Sequence, residues 1–162
     1  MGQGSGRGRG YLHALRGVAG AVQRRAFSVA IYAVHEGRVL LVHHKRLGVW
    51  IPVGGEVEAN ETPLEAAARE LREETGLEGD FGAPAWEGVD GTPRGLLAYE
   101  EHAAGSKGLH LNFDFVARVA SERIVSDGSF GEHRWVSAEE LEKVDAPRNV
   151  VQCARRALQT TR

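Results

Sequence analysis

Glu70, Glu73 and Glu74 stand at positions i, i+3 and i+4, a spacing that gathers three carboxylates on one side of a helix. Carboxylates packed this closely repel one another, so something positive has to compensate. The local bases do not suffice, because between Gly55 and Glu78 eight glutamates face only Arg69 and Arg72. Hard oxygen donors grouped in this way suit Mg²⁺ or Mn²⁺, which are commonly held by a few carboxylates together with substrate phosphates. The competing reading is a solvated charged face, on which Arg69–Glu73 and Arg69–Glu65 are ordinary i, i+4 pairs. That reading accounts for the charge but not for three acids clustered beside an apolar stripe.

The element carrying these acids has both ends written into it. Thr62 is an N-cap, Pro63 suits the first helical position, and Glu65 completes a Thr-x-x-Glu capping box. Gly76 supplies the stop. The spacing predicts a helix over 63–75 with Leu64, Ala67, Ala68 and Leu71 as its core stripe. Upstream, Phe27–Val34 and Arg38–His43 are rich in branched and aromatic residues around a Glu36-Gly37 turn, so they read as a hairpin. Gly48–Val53 reads as a short strand, and further strands are expected near 80–87, 94–102, 109–119 and 134–136. Ser137 and Glu140 form a second capping box for a helix over 138–143, and Pro147 opens a last helix running to about Leu158. Strands and helices mix without regular alternation, which points to an α/β (α+β) fold rather than a doubly wound parallel sheet.

The chain has 162 residues and a formal charge of −2. Residues 1–25 hold five arginines and 148–162 hold four, with no acid in either stretch, so the body between them carries −11. An acidic body of this kind argues against a protein that coats nucleic acid. The longest apolar run, Val29–Val34, is far short of the roughly 20 residues that span a membrane. A lone Cys153 can form neither an internal disulfide nor a structural zinc site, and a reducing, cytoplasmic location is the expectation. Residues 1–25 read as a basic extension outside a single domain at 26–162. Its glycine-rich start predicts a flexible arm, and Leu12, Leu15, Ala19 and Val22 suggest a short amphipathic helix weakened by Gly17 and Gly20.

From Gly55 the chain reads Gly-x5-Glu61-x7-Arg69-Glu70-Leu71-x-Glu73-Glu74-x-Gly76-Leu77. Every specified position of this run resembles the Nudix box, and Trp50-Ile51-Pro52-Val53-Gly54-Gly55 is similar to the family's usual lead-in, although Val53 stands where many members have Pro or Gly. The resemblance covers about 26–158. It implies an α/β/α sandwich around a mixed sheet and Mg²⁺- or Mn²⁺-dependent hydrolysis of a nucleoside diphosphate linked to another moiety. By the same resemblance, Glu70, Glu73, Glu74 and the carbonyl of Gly55 are the metal ligands, Arg69 orients the glutamates, and Glu61 supports the helix start. A further acid is expected from a downstream loop, with Glu132 as the candidate ligand or base and Asp127 as its rival. The substrate expected is a (d)NTP, including oxidised purine nucleotides, cleaved to a monophosphate and pyrophosphate. ADP-ribose or a related derivative is the alternative, and a domain that senses nucleotides without turnover is the alternative of another class. Whether the protein is a monomer or a homodimer stays open.

Other residues carry weaker signals. Lys45 and Arg46 could contact phosphate oxygens or form a solvated basic turn. Trp50 could stack on a base, though packing is the simpler role for a tryptophan in a strand. His110, Asn112 and Asp114 share one face of a strand by period two. Asn112 is the candidate substrate contact among them, and a polar outer face is the plainer account.

Overall fold

Turn chemistry sets the first hairpin. Glu36 and Gly37 take φ of 45° and 74°, the left-handed pair that a two-residue hairpin turn requires. They join β1 (Arg25–His35) to β2 (Arg38–His43) as expected. The computed structural model describes residues 23–82 and 89–161. The expected arm and helix before residue 23, and most of the strand expected at 80–87, lie outside those residues.

The stretch read as one strand at 48–53 is two: β3 (Trp50–Ile51) pairs with β2, and β4 (Val53–Glu56) pairs with β1. Pro52 separates them, since it has no N–H to give to a ladder. After α1 (Pro63–Thr75) come β5 (Gly79–Asp80), β6 (Leu96–Ala103), β7 (Leu109–Val119), β8 (His133–Val136) and α2 (Arg148–Thr160). β1 and β7 run parallel from Arg25↔Leu109 to Val34↔Arg118, and every other pairing is antiparallel. The helix expected at 138–143 is a single 3₁₀ turn, Glu140–Lys143. Its capping box does form, with Ser137 N donating to Glu140 Oε2 at 2.8 Å, but no run of apolar residues follows to extend it.

The mixed sheet has a helix on each face, so the architecture is the expected α/β/α sandwich. Alternation along β1 divides the cores. Val29, Ile31 and Ala33 pack with Phe115, Ala117, Ala66, Ala67 and Leu71 under α1. Tyr32 and Val34 pack with Leu97, Val116, Val150, Ala154 and Ala157 under α2.

The buried face of α1 is rotated from the expected stripe. Ala66, Ala67, Leu71 and Thr75 are buried, whereas Leu64 and Ala68 are only partly so. The rotation turns Glu70 and Glu74 inward, over β4. For Glu70 this is possible because Gly55 of β4 has no side chain to fill the space.

Candidate active site

Both ends of α1 form as written. Glu65 N donates to Thr62 Oγ1 at 3.3 Å, and Thr62 N returns a bond to Glu65 Oε2 at 2.7 Å. Gly76 closes the helix at φ 70°, its N–H donating to Arg72 O at 2.8 Å. Each cap contributes on the order of 1 kcal/mol. Together they fix the helix register and so the places of the three glutamates.

Glu70 lies against β4. A Cβ built on Gly55 would come within 2.3 Å of Glu70 Oε1, so only glycine leaves room for this carboxylate. Gly54 is equally constrained, since a Cβ there would meet Val29 O at 2.0 Å. The backbone N–H of Gly54 donates to Glu74 Oε2 at 3.1 Å. Burial pushes the Glu74 carboxyl up to about 7, and the nearby charges of Glu70 and Asp127 add to the rise against the Gly54 bond. Glu73 is the outermost of the three, with more than half of its side chain exposed.

Arg69 ties the acids together. Its guanidinium forks onto Glu61, with Nε to Oε2 at 3.0 Å and Nη2 to Oε1 at 2.6 Å. Nη1 donates to Glu70 Oε1 at 2.8 Å and to Glu73 Oε2 at 3.2 Å, and Nη2 also reaches the carbonyl of Glu56 at 3.2 Å. As they stand, no three acidic, histidine or cysteine side chains among the described residues converge closely enough to hold an ion. Arg69 and the Gly54 N–H instead engage the carboxylate oxygens. The chemistry of the donor set still fits a hard divalent cation: Glu70, Glu73 and Glu74 offer carboxylate oxygens from neighbouring turns of α1, and Glu70 lies where a Cβ on Gly55 would sit.

The outlying candidates fall in different places. Asp127 is close enough to raise Glu74, whereas Glu132 turns towards Arg134 at 3.8 Å and is mostly exposed. The backbone of Glu132 matters to the fold, because its carbonyl accepts from His43 N at 2.8 Å. Lys45 Nζ donates to Gly128 O at 2.5 Å and so anchors the loop that carries Asp127. Arg46 is exposed. Trp50 is buried in the core under α2, edge-on to His43 and with the Arg134 guanidinium 4.5 Å from its ring centroid, which is the packing role. An open hollow of about 770 Å³ lies at the outer edge of β8, lined by Arg38, Arg123, Arg134 and Lys143 among others, and no residue of the box lines it.

The polar outer face expected for β7 is overturned. Asn112 and Asp114 are 3% and 0% exposed, and they belong to a polar seam between the sheet and α2. Ser28 Oγ donates to Asn112 Oδ1 at 2.8 Å, and Asn112 Nδ2 donates to Asp114 Oδ1 at 3.1 Å. Burial, then the charge of Glu100, pushes Asp114 up to about 8, against hydrogen bonds from Cys153 and Asn112. Asn149 Nδ2 donates to both oxygens of Glu100, at 3.0 and 2.8 Å. His102 beside it and the Asn149 amide hold Glu100 below its usual range. The buried Nδ1 of His102 lies 3.5 Å from Glu100 Oε1 and has no hydrogen-bond partner.

Ser28 pairs with Glu56, and Ala30 with Gly54. The seam therefore meets the acid cluster at β4, where Gly54 and Glu56 face the seam side and Gly55 faces Glu70. Sequence reasoning passed over Ser28, Glu100, His102 and Asn149. The signal was the alternation along β6, which turns Ala98, Glu100 and His102 inward and Tyr99 and Glu101 outward.

A family model, the NUDIX domain, matches residues 22–159. An RNA pyrophosphohydrolase of Halorhodospira halophila is 50% identical over 70 residues, a stretch that is 43% of this chain but only 35% of that protein. The phosphatase NudJ of Shigella boydii is 34% identical over 122 residues, 72% of this chain and 71% of that one. Among solved structures, a NUDIX-family hydrolase from Clostridium perfringens superposes with a TM-score of 0.76 at 25% identity, covering 86% of this chain and 99% of that one. A MutT protein from Methanosarcina mazei shares the fold, with a TM-score of 0.68 at 20% identity, covering 88% of this chain and 99% of that one.

Proposed function

The chain belongs to the Nudix family, hydrolases that act on nucleoside diphosphate derivatives and generally use divalent metals, and from that premise we propose that it is a (d)NTP pyrophosphohydrolase. The observation that carries the catalytic part is the glycine pair of β4: Gly55, by lacking a Cβ, leaves room for the Glu70 carboxylate, and the Gly54 N–H holds Glu74. Glu70, Glu73, Glu74 and the carbonyl of Gly55 would hold Mg²⁺ or Mn²⁺. When bound, the metal neutralises phosphate charge and lowers the pKa of a water.

The chain's own residues do the rest. Arg69 fixes the directions of Glu70 and Glu73, and the Gly54 N–H fixes Glu74. Asp127, held by the Ser129 N–H at 2.8 Å, is the loop acid nearest in effect to Glu74, which makes it a better candidate than Glu132 to accept the proton of the attacking water. Water adds across the α–β anhydride, the bridging P–O bond breaks, and a monophosphate and pyrophosphate leave. The partly exposed end of the seam, Glu100 and Asn149, supports a nucleoside end, because it offers fixed donors and acceptors on the sheet that carries β4 and the acid cluster.

The test is a panel of (d)NTPs, oxidised purine nucleotides, NDP-linked sugars and ADP-ribose with Mg²⁺ and with Mn²⁺, reading monophosphate, pyrophosphate and phosphate. Pyrophosphate release from a triphosphate is expected, and Glu73→Gln should abolish it while leaving the fold intact. Turnover confined to ADP-ribose would replace the substrate assignment. Nucleotide binding without turnover on the whole panel would favour a sensing role.

A further inference from the structure

Arg24, Arg69, Arg72, Arg94 and Arg155 each sit in an ion pair with a carboxylate. Arg38, Arg123 and Lys143 take part in none of the ion pairs formed among the described residues. All three are exposed, and with Arg134 they line the open hollow of about 770 Å³ at the outer edge of β8. β8 pairs only with β2 among the described strands, so the hollow lies at the rim of the sheet.

Four separate elements bring these cations together. Arg38 opens β2, one residue before Val39 pairs with Val136 of β8. Arg134 lies within β8, its guanidinium 4.5 Å from the centre of the Trp50 ring and 3.8 Å from Glu132. Arg123 comes from the preceding loop, which Trp135 Nε1 ties to the strand by donating to Glu122 O at 3.0 Å. Lys143 ends the 3₁₀ turn that follows Ser137. The acids on the lining are Glu122 and Glu140, so four cations face two carboxylates. Glu140 is already engaged: its bonds to Ser137 hold it below its usual range, and the charges of Arg38 and Lys143 only add to that. Ile124, Trp135 and Val144 give the hollow an apolar side, where less water screens a charge.

We propose that this hollow binds a chain of linked phosphates, free or carried on a nucleoside, through Arg38, Arg123, Arg134 and Lys143. Guanidinium groups present paired N–H donors that match phosphate oxygens. Cations on four elements can meet charges spaced along a chain, which a single small anion does not supply. The excess of positive charge is local, within a body at 26–147 of net charge −11. A long nucleic acid would therefore be repelled beyond the hollow, while a short oligophosphate stays inside it. No residue of the acid cluster lines the hollow, so binding here needs no divalent ion.

Titration calorimetry of the full chain with tripolyphosphate, in EDTA and at about 0.15 M salt, tests the assignment. EDTA removes the divalent ion on which phosphate binding at the acid cluster depends, so failure of the hydrolase reading leaves this measurement intact. Tripolyphosphate should bind with a Kd below about 1 mM. Arg38→Gln, Arg123→Gln and Lys143→Gln should each weaken it by about threefold or more. The triple variant should weaken it by about 25-fold or more, with thermal unfolding like that of the parent. Arg94→Gln, beside Asp80 of β5 at the opposite edge of the sheet, should leave the affinity unchanged. The same proteins are then titrated with ATP. An ATP affinity tighter than that of tripolyphosphate, and lost in the triple variant, names a nucleotide as the carrier; any other result with ATP names the inorganic chain. The proposal is overturned if tripolyphosphate does not bind below about 1 mM or binds the triple variant as tightly as the parent. A loss in Arg94→Gln as large as that in Arg123→Gln would overturn it too, since net charge alone would then explain the binding.

Discussion

Arg69 grips Glu61 at two points, Nε to Oε2 at 3.0 Å and Nη2 to Oε1 at 2.6 Å, so the arginine is oriented by an acid eight residues upstream of it. The remaining Nη1 then has one direction in which to point, and it points at Glu70 and Glu73. The Nudix box spacing from Glu61 to Arg69 is thus a geometric requirement: a loop acid clamps the arginine, and the arginine aims two of the glutamates.

Arg69→Lys should separate orientation from charge. Lysine keeps the positive charge but cannot fork onto Glu61 and reach two further carboxylates in one plane. The expected result is a loss of about 10- to 100-fold in kcat/KM with Mg²⁺, in the range seen when groups supporting metal ligands are removed. Circular dichroism should remain that of the parent. Parental activity in Arg69→Lys would show that charge alone suffices.

Gly55→Ala tests the cradle. The added methyl would sit 2.3 Å from Glu70 Oε1 and 2.6 Å from its carboxyl carbon, so the carboxylate must move. The backbone at Gly55 is not in the left-handed region, so alanine adds little strain of its own. Mn²⁺ affinity, measured by titration calorimetry, should fall by about tenfold or more, and unchanged affinity would remove Glu70 from the ligand set.

The fold and the acid cluster were legible because local rules agree there. Thr62, Pro63, Glu65 and Gly76 each specify an end of α1, and Glu36-Gly37 specifies the first turn. The rotation of α1 was not legible, since it depends on the side chain missing from Gly55 on another element. The seam was hidden for a related reason. Period-two alternation shows that His110, Asn112 and Asp114 share a face, but not that α2 covers it and buries Asn112 and Asp114. Nor does spacing bring Asn149 to Glu100, 49 residues away, because that contact exists only once α2 lies across β6.

Asp114 should make stability depend on pH in a direction unusual for a carboxylate. Its folded pKa is raised to about 8, chiefly by burial, from an ordinary value near 3.8. Between those values the folded chain binds more protons than the unfolded one, so stability falls as pH rises. The contribution is fully present below about pH 4 and lost by the time pH passes about 8. Asp114→Asn keeps an acceptor for Asn112 and cannot ionise. Between pH 5 and pH 9 the parent should therefore lose more in Tm than Asp114→Asn, by about 3 °C or more. Equal losses in the two proteins would mean that Asp114 is ionised in the fold at neutral pH.

The Glu100–Asn149 pair is where a nucleoside reading of the seam can fail on its own. Asn149 donates to both oxygens of Glu100 and holds the carboxylate in one orientation, with His102 Nδ1 3.5 Å from it. A group that reads the non-reacting end of a substrate acts on binding and not on bond cleavage. Losing one hydrogen bond to a charged group amounts to about 1.5–3 kcal/mol, or roughly 10- to 150-fold. Glu100→Gln should therefore raise KM for the preferred nucleotide at least about tenfold with kcat little changed, and flatten discrimination between bases. Asn149→Ala, which frees the carboxylate without removing it, should give a smaller rise in KM. If Glu100→Gln instead lowers kcat at constant KM, the seam acts on the chemical step, and the nucleoside must be sought elsewhere on the sheet.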